Sequence, residues 1–359
     1  MPKVRRDPYS CTIVGPAWMH GGTEQHATTL AKFVDAARVK ITECLVTNED
    51  LLDRPAATRC PVPVRFCPPH ELISRTAAVD CVMIWGIETD LYLARHDTQA
   101  RIHIAHGASD WTQQMITGSA LTTDHVVCVS KHSQDKLAFT TPHSVIQNGI
   151  DSSRLTATMT TEESREICGF SPHDWVAGYV GRLADDKGVP QLIRAIALCP
   201  PNIKGLVCGY GPERHALEEL AETIAPGRVK FLRTDSYLGD VYQTMDCFVM
   251  PSQHEGFCLS AAEAMWSGVP IIMTATGLAA DDITDARNGM IVTTHADSIA
   301  DAIYEFSTNR SLANVCAIRA QNLARTKYQA RRMAESYTQL IESIVEAKRP
   351  DNTSDTIPY

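Results

Sequence analysis

The sequence predicts an α/β protein built on two parallel sheets. Short apolar runs alternate with amphipathic segments along the whole chain. The runs are apolar throughout, as strands covered on both faces are, and each is followed by a segment with helical spacing. There are twelve such runs, too many for one ordinary open sheet, and 359 residues suit about two domains of roughly 100–200 residues each.

In the first half the expected strands are 11–15, 41–47, 81–86, 101–106, 125–130 and 144–147. After the first of them Ala27, Leu30, Ala31 and Val34 follow the i, i+3, i+4, i+7 rule of a helix with one apolar face. Residues 52–70, with five prolines and two cysteines, show no clear period and read as a loop. The break between domains is expected in the polar 151–161 stretch, just after Asn148-Gly149, giving domains 1–153 and 154–327. In the second half the expected strands are 175–180, 205–208, 229–232, 247–250, 270–273 and 290–292, with Leu192, Ile193, Ile196 and Ala197 on one helix face. A last helix, 328–348, has no strand after it and is expected to cross back to the first domain; 349–359 reads as a disordered polar tail.

Composition narrows the function classes. Hydrophobic residues at 44% and charged residues at 21% fit a folded soluble chain and exclude disorder and coiled coil. The net charge of −9 weighs against a duplex nucleic-acid binder, which usually has a basic surplus. No apolar run approaches the roughly 18–20 residues of a spanning helix. The basic residues 1–7 lead into no apolar stretch, so no secretory signal is expected. The twelve cysteines form no C-x-x-C pair, and several lie in strand-like runs where a thiol is a small hydrophobe; a reducing cytoplasm is the expected compartment.

Chemistry in open α/β sheets sits where strand carboxyl ends meet helix N-termini. Three loops of this kind stand out. Gly21-Gly22-Thr23-Glu24 would expose backbone N–H groups to an anion, or it is simply a tight strand-to-helix turn. It is not the G-x-G-x-x-G fingerprint, and no P-loop occurs in the chain. The loop from Gly181 to Gly188 holds Arg182 and Lys187 between glycines, which suits a diphosphate; two solvated cations partly neutralised by Asp185 and Asp186 are the plainer reading. In the third loop Glu255 lies at a turn, and Glu263 follows two helical turns later on an Ala-rich, inward-packed segment. A carboxylate buried there needs a partner; a ribose diol could donate two hydrogen bonds to it, and the plainer reading is a helix-cap Glu255 with Glu263 paired to a protein cation. The string His254-Glu255-Gly256-Phe257-Cys258 lacks the second His of H-E-x-x-H, so no metal site is expected.

Taken in order, Arg182 with Lys187-Gly188, Gly209-Tyr210-Gly211-Pro212-Glu213, Glu255 and Glu263 with seven residues between, and Gly268-Val269-Pro270 resemble a retaining glycosyltransferase of family four, of GT-B fold. Gly21-Gly22-Thr23-Glu24, His106-Gly107 and Asn148-Gly149-Ile150-Asp151 match that family's landmarks in the first half. The resemblance spans about residues 10–345. It implies transfer of a hexose-type sugar from a UDP- or GDP-sugar to an acceptor hydroxyl with retention, without cofactor or metal. Arg182 and Lys187 would hold the diphosphate, Glu263 the ribose, and Glu255 with Phe257, Cys258 and Leu259 the sugar. Gly21 and Gly22 would meet the diphosphate from the first domain. His106 would face the transferred sugar, and Leu232 and Arg233 the nucleobase.

Two positions depart from the family pattern: Arg233 and Cys258 stand where glycine is usual. A GT-B epimerase or phosphorylase, or a non-catalytic nucleotide-sugar-binding module, would share the architecture. Acceptor contacts are expected from 50–70 and 111–119. Because the helix at 22–37 carries only Lys32 on its polar face, a soluble small molecule or glycan is favoured as acceptor over a lipid or modified DNA.

Overall fold

In the computed structural model, residues 7–93, 98–233 and 237–349 are described; residues 350–359 of the expected tail lie outside them. The first series of elements is β1 (Tyr9–Gly15), α1 (Gly22–Phe33), β2 (Val39–Val46), α2 (Arg54–Ala57), β3 (Val64–Phe66), α3 (Leu72–Thr76), β4 (Cys81–Ile84), β5 (Ala100–Ala105), α4 (Asp110–Thr117), β6 (His125–Cys128), α5 (Lys131–Lys136) and β7 (His143–Val145). The second is α6 (Thr161–Ile167), β8 (Trp175–Val180), α7 (Val189–Leu198), β9 (Ile203–Cys208), α8 (Arg214–Ile224), β10 (Val229–Leu232), α9 (Leu238–Thr244), β11 (Cys247–Met250), α10 (Leu259–Trp266), β12 (Ile271–Thr274), α11 (Leu278–Asp282), β13 (Met290–Val292), α12 (Ala296–Thr308), α13 (Arg310–Lys327) and α14 (Ala330–Ala347).

Among the described residues the strands form two wholly parallel sheets, ordered β3-β2-β1-β4-β5-β6-β7 and β10-β9-β8-β11-β12-β13. Each is a doubly wound, Rossmann-like layer, and the fold is GT-B. The central strands are buried on both faces, which is why they read as unbroken apolar runs: β4 and β11 bury every residue. Strand order reverses between β1 and β4 in the first sheet and between β8 and β11 in the second. Those two switch points are where a doubly wound sheet opens a crevice.

One expectation is corrected. Residues 52–70 are not all loop: Val64–Phe66 form β3, beside β2. The strand is short and lies at the sheet edge, where proline is tolerated because one side needs no ladder partner. Pro63 contributes its carbonyl to Cys44 N at 2.8 Å, and Cys67 N reaches Val46 O at 2.9 Å, so the prolines flank the strand without breaking it. A three-residue strand is too short to show a period.

The last helix packs on the first series. Arg38 bridges to Glu335 (2.8 Å) and Glu342 (2.5 Å) on α14, and Lys348 to Asp124 (2.7 Å). Gly149 lies tight against the Ala330 backbone, and Ile150 bridges Gln329. All twelve cysteines are free thiols, most of them buried. Among the described residues no helix is long and apolar enough to cross a membrane.

Candidate functional site

Topology brings the singled-out loops together. Gly21 and Gly22 follow β1, and His106 follows β5 beside the first switch point; Arg182 and Lys187 follow β8, and Glu255 follows β11, at the second. The two sets meet. A methyl on Gly256 would lie 2.0 Å from the His106 carbonyl oxygen, and the Gly256 carbonyl accepts hydrogen bonds from the hydroxyls of Ser130 and Ser133. His20 stacks on Tyr210 with ring centroids 5.0 Å apart. Asp281 on α11 accepts from the backbone N–H of Lys131 and His132, both at 2.8 Å, which caps α5 from across the interface.

In the second series a largely, not fully, buried ion pair organises the site. Lys187 Nζ stands 3.0 Å from Glu255 Oε1, with side chains 16% and 12% exposed. Ser252 Oγ donates to the same carboxylate oxygen at 2.8 Å. Burial alone would lower the Lys187 ammonium, but the charge and hydrogen bond of Glu255, with Asp186, carry it above its ordinary value. Arg182 is 64% exposed and, among the described residues, its guanidinium reaches Asp186 alone, at 3.7 Å, so most of its donor fork faces solvent. Gly188 ends this loop in the left-handed region, at φ 67, with a Cβ position 2.2 Å from the Pro251 carbonyl oxygen; only glycine fits between the two loops.

The Glu255 loop runs into α10 through Cys258, which is left-handed (φ 76, ψ 77) and buried. A side chain in that region costs roughly 1–2 kcal/mol per residue, which explains why the resembling family prefers glycine there. Phe257 is buried edge-on against Tyr328, centroids 5.1 Å apart, and Leu259 opens the helix. Glu263 lies inside, with Arg154 Nη1 at 2.9 Å from Oε1 and the Tyr242 hydroxyl donating to Oε2 at 2.9 Å. Burial pushes its carboxyl up, and Arg154 and Tyr242 oppose that. Both partners come from the protein, so the protein-cation alternative for Glu263 is realised; among the described residues each carboxylate oxygen takes one side-chain donor, which leaves a lone pair on each.

In the first series Gly21 caps α1 without a side-chain bond, and a Cβ on Gly22 would meet nothing within 4 Å. Glu24 turns back to accept from Met19 N at 3.3 Å, and burial raises its carboxyl. His106 sits in a nest of rings, 4.9 Å from His26 and 6.0 Å from Trp85 by centroid. Its Nε2 is buried without a hydrogen-bond partner among the described residues. Burial, with His26 and His103 nearby, holds the imidazole well below its ordinary value, so His106 is neutral and suited to a hydrogen bond with a neutral hydroxyl. His26 Nδ1 pairs with Asn148 Oδ1 at 2.8 Å, which assigns the proton to Nδ1.

These histidines set a pH dependence. Burial pushes His26 and His103 down to about 4. The unfolded chain takes up their protons near pH 6.5, and the folded protein does not until about pH 4, so stability falls as pH drops through that window. The loss is on the order of 3 kcal/mol for each histidine, partly offset by the upward displacement of the buried Glu24 and Glu263 carboxyls. The thermal midpoint is expected to be level from pH 8 to 7 and to drop steadily from pH 6 to 4. A midpoint that stays level down to pH 4.5 contradicts this.

Arg233 lies 5.3 Å above the Tyr210 ring, and the Leu232 carbonyl accepts from Arg214 Nη1 at 3.1 Å. The Arg233 guanidinium is thus committed to Tyr210, beside the His20 stack. Sequence reading missed Arg154, Tyr242 and Ser252. Arg154 stands in a polar stretch that reads as a linker, and no local pattern marks a residue whose partner is 109 positions away. Among the described residues no three His, Cys, Asp or Glu side chains come together as a metal site would need.

The fold and these loops define a GT-B protein with two facing Rossmann-like layers. Residues 160–323 match the family model described as Glycosyl transferases group 1, which covers the loops of Arg182, Lys187, Glu255 and Glu263. Relatives include the lipopolysaccharide core biosynthesis mannosyltransferase LpsB of Rhizobium meliloti, 30% identical over 56% of this chain and 62% of that protein. The D-inositol 3-phosphate glycosyltransferase of Corynebacterium glutamicum is 35% identical over 40% of this chain. The chain therefore spans less than two thirds of these relatives' length, 37% in the second case. HepE of Anabaena, crystallised with UDP and glucose, superimposes with TM-score 0.81 at 17% identity, covering 93% of this chain and 100% of that one. WaaG, a glycosyltransferase involved in lipopolysaccharide biosynthesis, superimposes with TM-score 0.71 at 16% identity, covering 92% of this chain and 99% of that one.

Proposed function

We propose that this protein is a glycosyltransferase that moves a hexose-type sugar from a UDP- or GDP-sugar to an acceptor hydroxyl, with retention of anomeric configuration. The observation that carries the reading is the pairing of Lys187 with Glu255 beside the solvent-facing fork of Arg182, at the second switch point and against His106. The match of 160–323 to group 1 glycosyl transferases supports it, as do one relative described as a GDP-mannose-dependent alpha-mannosyltransferase and a fold neighbour crystallised with UDP-glucose.

In this reading Arg182 and Lys187 oppose the charge that builds on the diphosphate as the glycosidic bond breaks. The start of α10, at Phe257, Cys258 and Leu259, and the Gly21-Gly22 turn add backbone N–H groups. Glu255, fixed by Ser252 and Lys187, accepts from sugar hydroxyls, and neutral His106 bonds a hydroxyl near the anomeric carbon. Glu263 holds the ribose, and Leu232 and Arg233 lie on the base side. Retention follows the resembling family, in which the donor phosphate oxygen helps deprotonate the acceptor on the same face; Glu255 is not a glycosidase nucleophile.

The test is a panel of UDP- and GDP-sugars scored by thermal shift, followed by turnover with the stabilising donor and NMR of the product. One nucleotide sugar is expected to raise the midpoint and to give a product whose anomeric configuration matches the donor. Because two side-chain cations offset the diphosphate, turnover is expected to survive EDTA. Isomerised donor without transfer would favour the epimerase; inversion, or a chelation loss restored by Mg²⁺ or Mn²⁺, would overturn the corresponding part.

A further inference from the structure

Glu263 is held in part from the segment that joins the two sheets. Arg154 belongs to a short 3₁₀ turn, Ser152–Leu155, just after the last strand of the first sheet. That turn is anchored on α1: Lys32 Nζ reaches Asp151 Oδ2 at 2.7 Å and Ser153 Oγ at 2.8 Å, and Asp151 caps the turn through Ser153. From this anchored turn Arg154 extends to Oε1 of Glu263, while the Tyr242 hydroxyl takes Oε2. Both carboxylate oxygens are therefore fixed in direction, with one lone pair on each left over.

We propose that Arg154 is a positioning residue for ribose recognition, holding the buried Glu263 carboxylate as an aligned acceptor for two vicinal hydroxyls from the junction between the domains. The inference rests on the reading of Glu263 as the ribose ligand given above. Its physical basis is direct. A buried carboxylate without a cation is held by one hydroxyl only and favours its protonated form, which offers a donor where a diol needs an acceptor. Arg154 supplies the charge and one of two hydrogen bonds that set the plane of the group. Tyr242 alone leaves that plane free to turn.

The experiment is calorimetric binding of UDP and GDP, each beside its 2′-deoxy counterpart, to the full chain and three variants. The wild type is expected to prefer the ribonucleotide about tenfold, and Glu263→Gln to lose that preference. Arg154→Met is expected to lose it as well, to within twofold, with affinity for the deoxynucleotide unchanged; Arg154→Lys, which keeps the charge, is expected to restore part of it. A merely structural role for Arg154 would weaken both nucleotides alike and overturns the proposal. Retained preference in Arg154→Met, with loss in Glu263→Gln, also overturns it and leaves the ribose reading intact. Absence of any preference in the wild type overturns both. Should Arg154→Met fail to fold, Arg154→Lys decides: a reduced ribose preference with affinity for the deoxynucleotide unchanged supports positioning, and an unchanged preference, or equal weakening of both nucleotides, overturns it.

Discussion

Gly256→Ala is expected to lower turnover about 10²-fold while leaving both sheets folded. The added methyl would lie 2.0 Å from the His106 carbonyl oxygen, 2.7 Å from its carbon and 3.0 Å from Gly107 Cα. All three are backbone atoms, so no side chain can swing aside. The Glu255 loop must retreat from the first domain by about 1 Å, and misplacement on that scale costs on the order of 10²-fold in rate when reacting groups come from both sides. The Ser130 and Ser133 hydroxyls would lose the Gly256 carbonyl at the same time. Overpacking of this kind costs about 1–3 kcal/mol, small enough for the domains to survive. Turnover, thermal midpoint and radius of gyration measured together check it: activity within twofold of wild type would show that the contact between the domains is not needed.

Lys187→Met is expected to be the most damaging single charge removal. It leaves Glu255, 12% exposed, with Ser252 as its remaining hydrogen-bond donor. Removing one partner of a buried pair costs about 3–5 kcal/mol at full burial, because the other charge stays behind; the slight exposure here puts the loss toward the lower figure. Turnover should drop by a further 10²–10³, roughly, through loss of the cation proposed to face the leaving group. The double variant with Glu255→Gln separates the two effects. It should recover much of the stability, since no charge is stranded, and none of the turnover. A Lys187→Met protein as stable as wild type would mean that the pair is solvated in solution, and the charge balance proposed for the site would fall with it.

The candidate site was partly legible in the chain. Arg182, Lys187, Glu255 and Glu263 are marked by loop position and spacing at strand ends, although each also had a plain structural reading. Cys258 and Arg233 stood out as departures from glycine, and the left-handed backbone at 258 gives the first a physical meaning. The partners were not legible. Ser252 lies three residues from Glu255 but only the turn of that loop aims its hydroxyl at the carboxylate. Arg154 and Tyr242 reach Glu263 across 109 and 21 positions, and His26 meets His106 from another element.

What the sequence by itself determined is the class of the fold. Burial on both faces of a parallel sheet forces unbroken apolar runs, and that constraint is local enough to read residue by residue. It also marked the loops at strand ends, since a backbone that must turn sharply and approach an anion calls for glycine. Tertiary structure alone decided what each side chain in those loops pairs with. It tied Lys187 to Glu255, gave both oxygens of Glu263 to protein donors, held His106 neutral among rings, and turned a proline-rich loop into an edge strand. The reason is that pairing and desolvation depend on distances between residues far apart in the chain, and these exist only once the two sheets have packed and their loops face each other.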